Sequence, residues 1–407
     1  MMRKPALLKT LFTVAAALIV CAAARAQVEP AAFGASAKFD YDLSYTQVES
    51  IYTDDQESRQ WGTVSGELQY LNGKPYSPMA LTYSGGYSFG IRGPIGGSGL
   101  FQHLQFAQGY IRRKWSVSVS DNVTFSPETP TTGFSGIPGV GSFPGLPIGT
   151  PGPILYSQSV YNTLSGLFIH RLTHNMDFGL NTDYSIIRYP TGAALETNEF
   201  GLSPEFNWHL DARTSLSLQY SFAQYTYVGT SADLHSQSLQ PGFSRVWNRR
   251  LTTYLHAGPQ WIHSSFIPPS TGVGATLGGA YVTRAATVSA NYYQGVSTGV
   301  GLGTEVGIRN YNATAQLSHT FGRDFTLSGS ASDVRTQGLV QTGVVNGRYA
   351  ALSATKRLGE FTTISAGYTV IKQSSSLTLP SSALTGLANV LSFSIAYHPR
   401  ENHIFRK

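Results

Sequence analysis

The side chains that could do chemistry are ten histidines, many serines and a modest set of carboxylates. Most of the histidines stand singly, beside turns or within alternating segments: His103, His170, His174, His209, His256, His263, His319 and His398. Metal sites need three or four convergent ligands. His170 and His174 would share a face only on a helix, and the residues between them spell a turn. No H-E-x-x-H or Walker sequence appears. A Ser–His or Asp–His group could still assemble in space, but no spacing points to one, so the expected catalytic, cofactor and metal residues are none. The sharper candidates are charges that share a polar phase with serine, threonine and asparagine: Lys38, Asp40, Asp42, Glu67, Asp177, Asp183 and Glu205. If that phase lined a pore, these seven would line it, and carboxylate rings favour cations. The plainer alternative is that they only solvate a polar wall.

The elements that would hold these charges announce themselves by period two. In Arg213–Val228, Leu216, Leu218, Tyr220 and Phe222 alternate with Ser215, Ser217, Gln219 and Ser221. One face of such a strand is apolar and the other wet. Ordinary strands run about five or six residues, whereas a tilted membrane-crossing strand needs about 9–11. The same alternation returns at Phe39–Tyr45, Val64–Tyr70, Met79–Phe89, Met176–Tyr184, Ile364–Val370 and Leu391–Tyr397. Charge-bearing tight turns fall near Leu172, Ala212, Arg249, Arg284, Arg323 and Gly359, at spacings of 40, 37, 35, 39 and 36 residues. Each interval holds two long strands joined by a looser Gly/Ser/Thr segment. A propeller blade would hold four short ones. Asn72-Gly73 is a hairpin signal, and Asp121, on an apolar phase, suggests a bulge or a register break.

The two ends and one loop complete the organisation. Arg3, Lys4 and Lys9 precede an apolar run, Leu11–Ala24, and Ala24-Arg25-Ala26 offers a cleavage site, so residues 1–26 read as a signal peptide. Residues 27–36 read as a flexible lead. Removing the first 26 residues takes away four of the 28 basic residues and no acidic ones, so the formal charge falls from +6 to +2. The basic balance is therefore no argument for nucleic acid. The single cysteine, Cys21, leaves with that segment. Charged residues make up only 12% of the chain, about half of what soluble domains carry. The Pro- and Gly-rich stretch 126–154 admits neither helix nor ladder and reads as a long outer loop.

With those residues in view, the chain resembles bacterial outer-membrane β-barrels, and more loosely the porin-like barrels associated with exopolysaccharide export. The resemblance covers about residues 37–398 and rests on architecture. Phe393-x-Ile395-x-Tyr397 is similar to the aromatic last strand of such barrels, although residues 399–407 follow it as a tail. The fold expected is all-β: a closed antiparallel transmembrane barrel of about 16–18 strands behind a cleaved signal peptide. What the resemblance implies is a porin-like channel for small hydrophilic solutes in the outer membrane. The alternatives are a conduit or docking barrel for exopolysaccharide, or a structural or adhesive barrel. Expected partners are the lipid bilayer, lipopolysaccharide and the outer-membrane assembly machinery, with no nucleic acid and no cofactor. Tyr45, Tyr70, Trp115, Tyr184, Tyr189, Trp208, Tyr225 and Trp247 are expected to form interfacial girdles.

Overall fold

The computed structural model describes residues 37–52, 58–92, 99–126, 159–190, 196–230, 233–265, 267–297, 308–339, 343–376, 386–397 and 402–403. The signal peptide, the lead, most of the 126–154 loop and His398 lie outside them. Eighteen long antiparallel strands run from β1 (Ala37–Tyr52) to β18 (Gly386–Tyr397), each 12 to 16 residues long. Each pairs with the next in sequence, and β18 pairs back onto β1 over Leu43–Tyr52, which closes the wall. Closure is what lets every ladder find a partner where no water could substitute. A two-residue strand, β19 (Asn402–His403), joins the same seam opposite Lys38 and Phe39. Asn402 and His403 thus pair with the wall, where the sequence suggested only a tail.

Register shows how period two becomes two surfaces. One phase carries Leu216, Leu218, Phe206, Trp208, Leu391 and Phe393, all exposed at 38–55%. The opposite phase carries serine, threonine, asparagine and glutamine. Thr63 bonds to Ser88 (3.1 Å), Ser332 donates to Asn312 (3.1 Å), and Thr336 donates to Asn310 (2.8 Å). In a closed barrel the exposed apolar phase is the outer one, because only lipid leaves such a surface without cost. Tyr45, Tyr70, Trp115, Tyr184 and Trp208 occupy outer register positions. Tyr189 and Tyr225 do not belong to a girdle; they are buried, at 5% and 3% exposure.

Short turns gather at one end. Residues 112–114, 172–175, 210–213, 247–250, 283–285, 322–324 and 359–361 connect strands there. Gly322 and Gly359 take positive φ (67° and 73°), the left-handed geometry such tight reversals need. Asp211 shows the polar half of the device: its carboxylate accepts the Arg213 backbone N–H at 2.6 Å, and that bond holds its pKa below the usual carboxylate value. The connection after Asn72 is longer than the Asn-Gly pair suggested. It runs from residue 73 to 78, with Lys74 N–H donating to the Asn72 side chain. Proline is normally confined to sheet edges. Here Pro204, Pro241 and Pro259 all sit on the outer phase inside strands, and cross-strand pairing lapses beside each of them.

Asp121 departs from expectation. Register is unbroken through it on both sides, opposite Phe106 and Leu164, so there is no bulge. It stands on the outer phase, and Asn162 of the neighbouring strand donates to it at 2.8 Å. That neutral amide partner is why a carboxyl can be held there. The wall's register shift lies at Gln60/Trp61.

Candidate functional site: the inner wall and its folded-in hairpin

The candidate charges fall on two arcs of the inner phase. Register places Lys38, Asp40, Asp42 and Glu67 on β1 and β2 (Ser58–Asn72), with Asp42 directly opposite Glu67. The side chains of Lys38, Asp40 and Asp42 are outside the described residues. The second arc lies on β7 (Met176–Arg188) and β8 (Thr197–His209) and holds Asp177, Asp183 and Glu205.

Within the second arc each carboxylate has its own surroundings. Asp177 sits near the short-turn end between Arg171, 3.6 Å away, and His209, 2.8 Å away. The other ring nitrogen of His209 faces Ser215 at 2.9 Å, so the imidazole is fixed across three strands. Asp183 lies against Gly201, where an added Cβ would come within 2.3 Å of its carboxylate oxygen. Glycine is therefore required there for the carboxyl to lie flat on the wall. The charge that sequence reading missed is Glu199, on the same inner phase. Asp183 is its charged neighbour, and it lies beside the Tyr225 hydroxyl. The signal was present: Glu199 and Glu205 share parity within β8.

Near the long-loop end the inner wall becomes apolar and dry. Tyr225 and Tyr227 of β9 (Thr214–Tyr227), Leu234 of β10 (Asp233–Val246) and Ile262 of β11 (Leu251–Ser264) form one cluster with Val296. Val296 belongs to β13 (Ala286–Ser297), four strands away from β9. It arrives because β13 leaves its neighbour early. Pairing with β12 (Ser270–Val282) stops at Ala275↔Gln294, whereas pairing with β14 (Ile308–Phe321) continues to Ser297↔Ile308. The end of β13 thus turns inward and lays Val296, on its outer phase, onto the inner wall. Two contacts fix it. Tyr225 donates to the Val296 carbonyl at 3.5 Å, and Arg309 occupies the space left by Gly272, its Nη2 being 2.9 Å from where a Cβ would stand. Ile267 and Leu339 pack against the cluster from the loop side.

Asp177, His209 and Ser215 line up as an Asp–His–Ser chain near the short-turn end; the G-x-S-x-G spacing adds no second one among the described residues. Residues 86–90 and 295–299 have G-x-S-x-G spacing, which sequence reading passed over. That motif works on a strand-to-helix elbow, but Ser88 lies within β3 (Met79–Arg92), buried and bonded to Thr63. His103 is buried at 2% exposure and bonded to Thr124 at 2.9 Å. Among the described residues no three His, Cys, Asp or Glu side chains come together as a metal site.

No protein-family description matches the chain, and no curated protein matches its sequence. Solved structures with similar architecture include Acinetobacter baumannii OccAB3, at 9% identity over 90% of this chain and 99% of that one (TM-score 0.45). Pseudomonas aeruginosa OccK2 matches at 11% identity over 89% and 98% (TM-score 0.49). The copper transporter OprC matches at 11% over 91% and 82% (TM-score 0.44). Identities this low leave function to be argued from this chain's own residues. By its closure, its strand number and its apolar outer face, the molecule is an outer-membrane-type β-barrel of 18 strands.

Proposed function

We propose that this barrel is a channel of the bacterial outer membrane that passes small hydrophilic solutes by diffusion, with a preference for cations. The observation that carries this reading is the closed 18-strand wall whose inner phase is mostly serine, threonine, asparagine and glutamine, with buried apolar residues such as Val345, Ile371 and Leu234 toward the long-loop end. Barrels of 16–18 strands leave an aqueous bore unless something fills it. The short-turn end then faces the periplasm and the long-loop end the outside. Asp183, Glu199 and Glu205 place three carboxyl groups on one arc, and β9 to β18 present no inner carboxylate among the described residues. Solute would pass along this wall by exchanging hydration for hydroxyl, amide and carboxylate contacts. The inward-turned end of β13, through Val296, stands over the outer part of the inner wall. An exopolysaccharide conduit would want an open aromatic track, and Tyr225 and Tyr227 are covered at 3% and 4% exposure.

The test is conductance of the refolded mature chain in a planar lipid bilayer. Stepwise openings are expected, with a reversal potential in a KCl gradient on the cation side. Replacing Asp183, Glu199 and Glu205 by Asn, Gln and Gln should move that potential toward zero. A folded barrel that stays electrically silent would overturn the channel. An unchanged potential in the triple variant would overturn the acidic wall as the source of selectivity.

A further inference from the structure

The histidines of the wall differ in what their ring nitrogens face. Among the described residues, His256 faces Ser217 at 3.4 Å and no carboxylate, and His235 faces Asp233 at 3.1 Å and no hydroxyl. His103 has a hydroxyl neighbour but is buried at 2% exposure. His209 has both partners and stays open. Asp177 Oδ2 is 2.8 Å from its Nε2, Ser215 Oγ is 2.9 Å from its Nδ1, and its side chain is 41% exposed. A ring nitrogen bonded to a carboxylate carries the proton, so in the neutral ring Nε2–H donates to Asp177. Bare Nδ1 then accepts from the Ser215 hydroxyl. That is the polarity of a serine nucleophile with its base, the base being held by a third group.

Two tight turns set the three residues. Residues 210–213 bring β8 back as β9, and Leu210 N–H donates to the Thr214 carbonyl at 3.0 Å, which puts His209 directly opposite Ser215. Residues 172–175 bring β6 (Ser159–Arg171) back as β7, and His209 N–H donates to the Asn175 carbonyl at 2.8 Å. That bond draws the imidazole to the level of Asp177. Arg171, directly opposite Asp177, lies 3.6 Å from its other oxygen and opposes rotation of the carboxylate. The strands are already joined by their own ladders, so the chain of side chains is not needed to hold them. Asn207 stands diagonal to Ser215, opposite Ser217 and Asp177, and its side-chain amide bonds to nothing among the described residues. It is the donor placed to meet negative charge developing on a carbonyl oxygen beside Ser215.

We infer that Ser215, His209 and Asp177 give this barrel a second function, a hydrolytic site for small carboxylic esters at its short-turn mouth. Ser215 Oγ attacks the ester carbonyl carbon, and its proton passes to His209. The carbon–oxygen bond to the alcohol then breaks, and that proton leaves with the alcohol. Water attacks the acyl-serine in a second round, its proton returns through His209 to Ser215, and the acid departs. The sum is ester plus water giving acid plus alcohol. Small esters are the class because the neighbours on this face, Asn207, Ser217 and Ser244, are polar. A long acyl chain would find no apolar slot to cover it.

The experiment uses the whole refolded mature barrel in detergent micelles, with a fluorophosphonate as the probe of an activated serine and p-nitrophenyl acetate as the ester. The phosphonyl label should fall on Ser215, located by peptide mass, and hydrolysis should saturate with ester. Ser215→Ala should remove the label and lower kcat about a hundredfold. His209→Gln and Asp177→Asn should also lower kcat with KM unchanged, as expected for groups that act only in the transition state. Ser217→Ala, next on the same face of the strand, should change neither label nor rate. Each variant is checked for heat-modifiable migration, and labelling of the native barrel needs no variant at all. No label, a label on another serine, or hydrolysis unchanged in Ser215→Ala overturns the site. Conductance plays no part: an electrically silent barrel labelled at Ser215 would lose the channel and keep the hydrolase.

Discussion

Leucines on the two faces of this wall meet opposite fates. Outside, Leu216, Leu218 and Leu391 stand at 38–49% exposure; inside, Leu234 is at 1% and Ile262 at 0%. The residue types are alike and the strands are neighbours, so the difference is in the solvent. Lipid tails are as apolar as leucine and ask for no cover. Water in the bore does ask for it, because exposed apolar area costs about 25 cal/mol per Å². The inner patch on β9–β11 needs cover, and Val296 at the end of β13, which leaves β12 after Gln294, supplies it. An apolar spot on an aqueous wall attracts the nearest apolar segment able to bend.

The largest test of that comparison is Val296→Asp. A carboxylate in the dry cluster would have to be hydrated, and release of the tip is the cheapest way to hydrate it. Single-channel conductance should rise at least twofold, and Leu218→Asp on the outer wall should instead impair insertion. Unchanged conductance for Val296→Asp would show that the tip does not limit the pore.

A smaller effect sharpens the same point. If Leu234 is dry because Val296 covers it, Leu234→Ala and Val296→Ala should be non-additive in a urea-unfolding cycle in vesicles, by about 0.5–3 kcal/mol. Leu218→Ala, on the outer phase, should be additive with Val296→Ala to within about 0.5 kcal/mol. Additivity in both pairs would mean that the tip rests on the wall without being held by it.

Much of this was legible because period two is a property of residue order. Leu216 to Phe222, alternating with serine, fixes which side chains share a face, whatever the tertiary setting. The turns at Arg249, Arg323 and Gly359 follow from local chemistry in the same way. What was not legible involves residues distant in sequence. Val296 and Tyr225 are 71 residues apart, and nothing local in β13 says that it will part from β12. Tyr225 and Tyr189, judged by aromatic type and strand end, resembled girdle residues; their phase puts them inside. Asp121 was misjudged because a carboxyl on an apolar phase suggested a backbone fault, and its partner Asn162, across an unassigned loop, was not in view.

The smallest effect concerns the part of the inner wall that needs no lid. Between β14 and β15 (Phe325–Gly338) a ladder of hydroxyls and amides bonds across the strands: Ser332 donates to Asn312 at 3.1 Å, and Thr336, at 1% exposure, donates to Asn310 at 2.8 Å. Thr336→Val keeps the shape and removes the donor. Asn310 Oδ1 then loses a partner in a buried place, which costs about 1–3 kcal/mol, read as a lower urea midpoint in vesicles. Conductance should stay at the native value, since a methyl replaces a hydroxyl that faces the wall and not the bore. A conductance rise like that of Val296→Asp would mean that this ladder holds the hairpin base. The two parts of the inner wall, the apolar patch under its lid and the polar ladder, would then be one mechanical unit and not two separate answers to the same water.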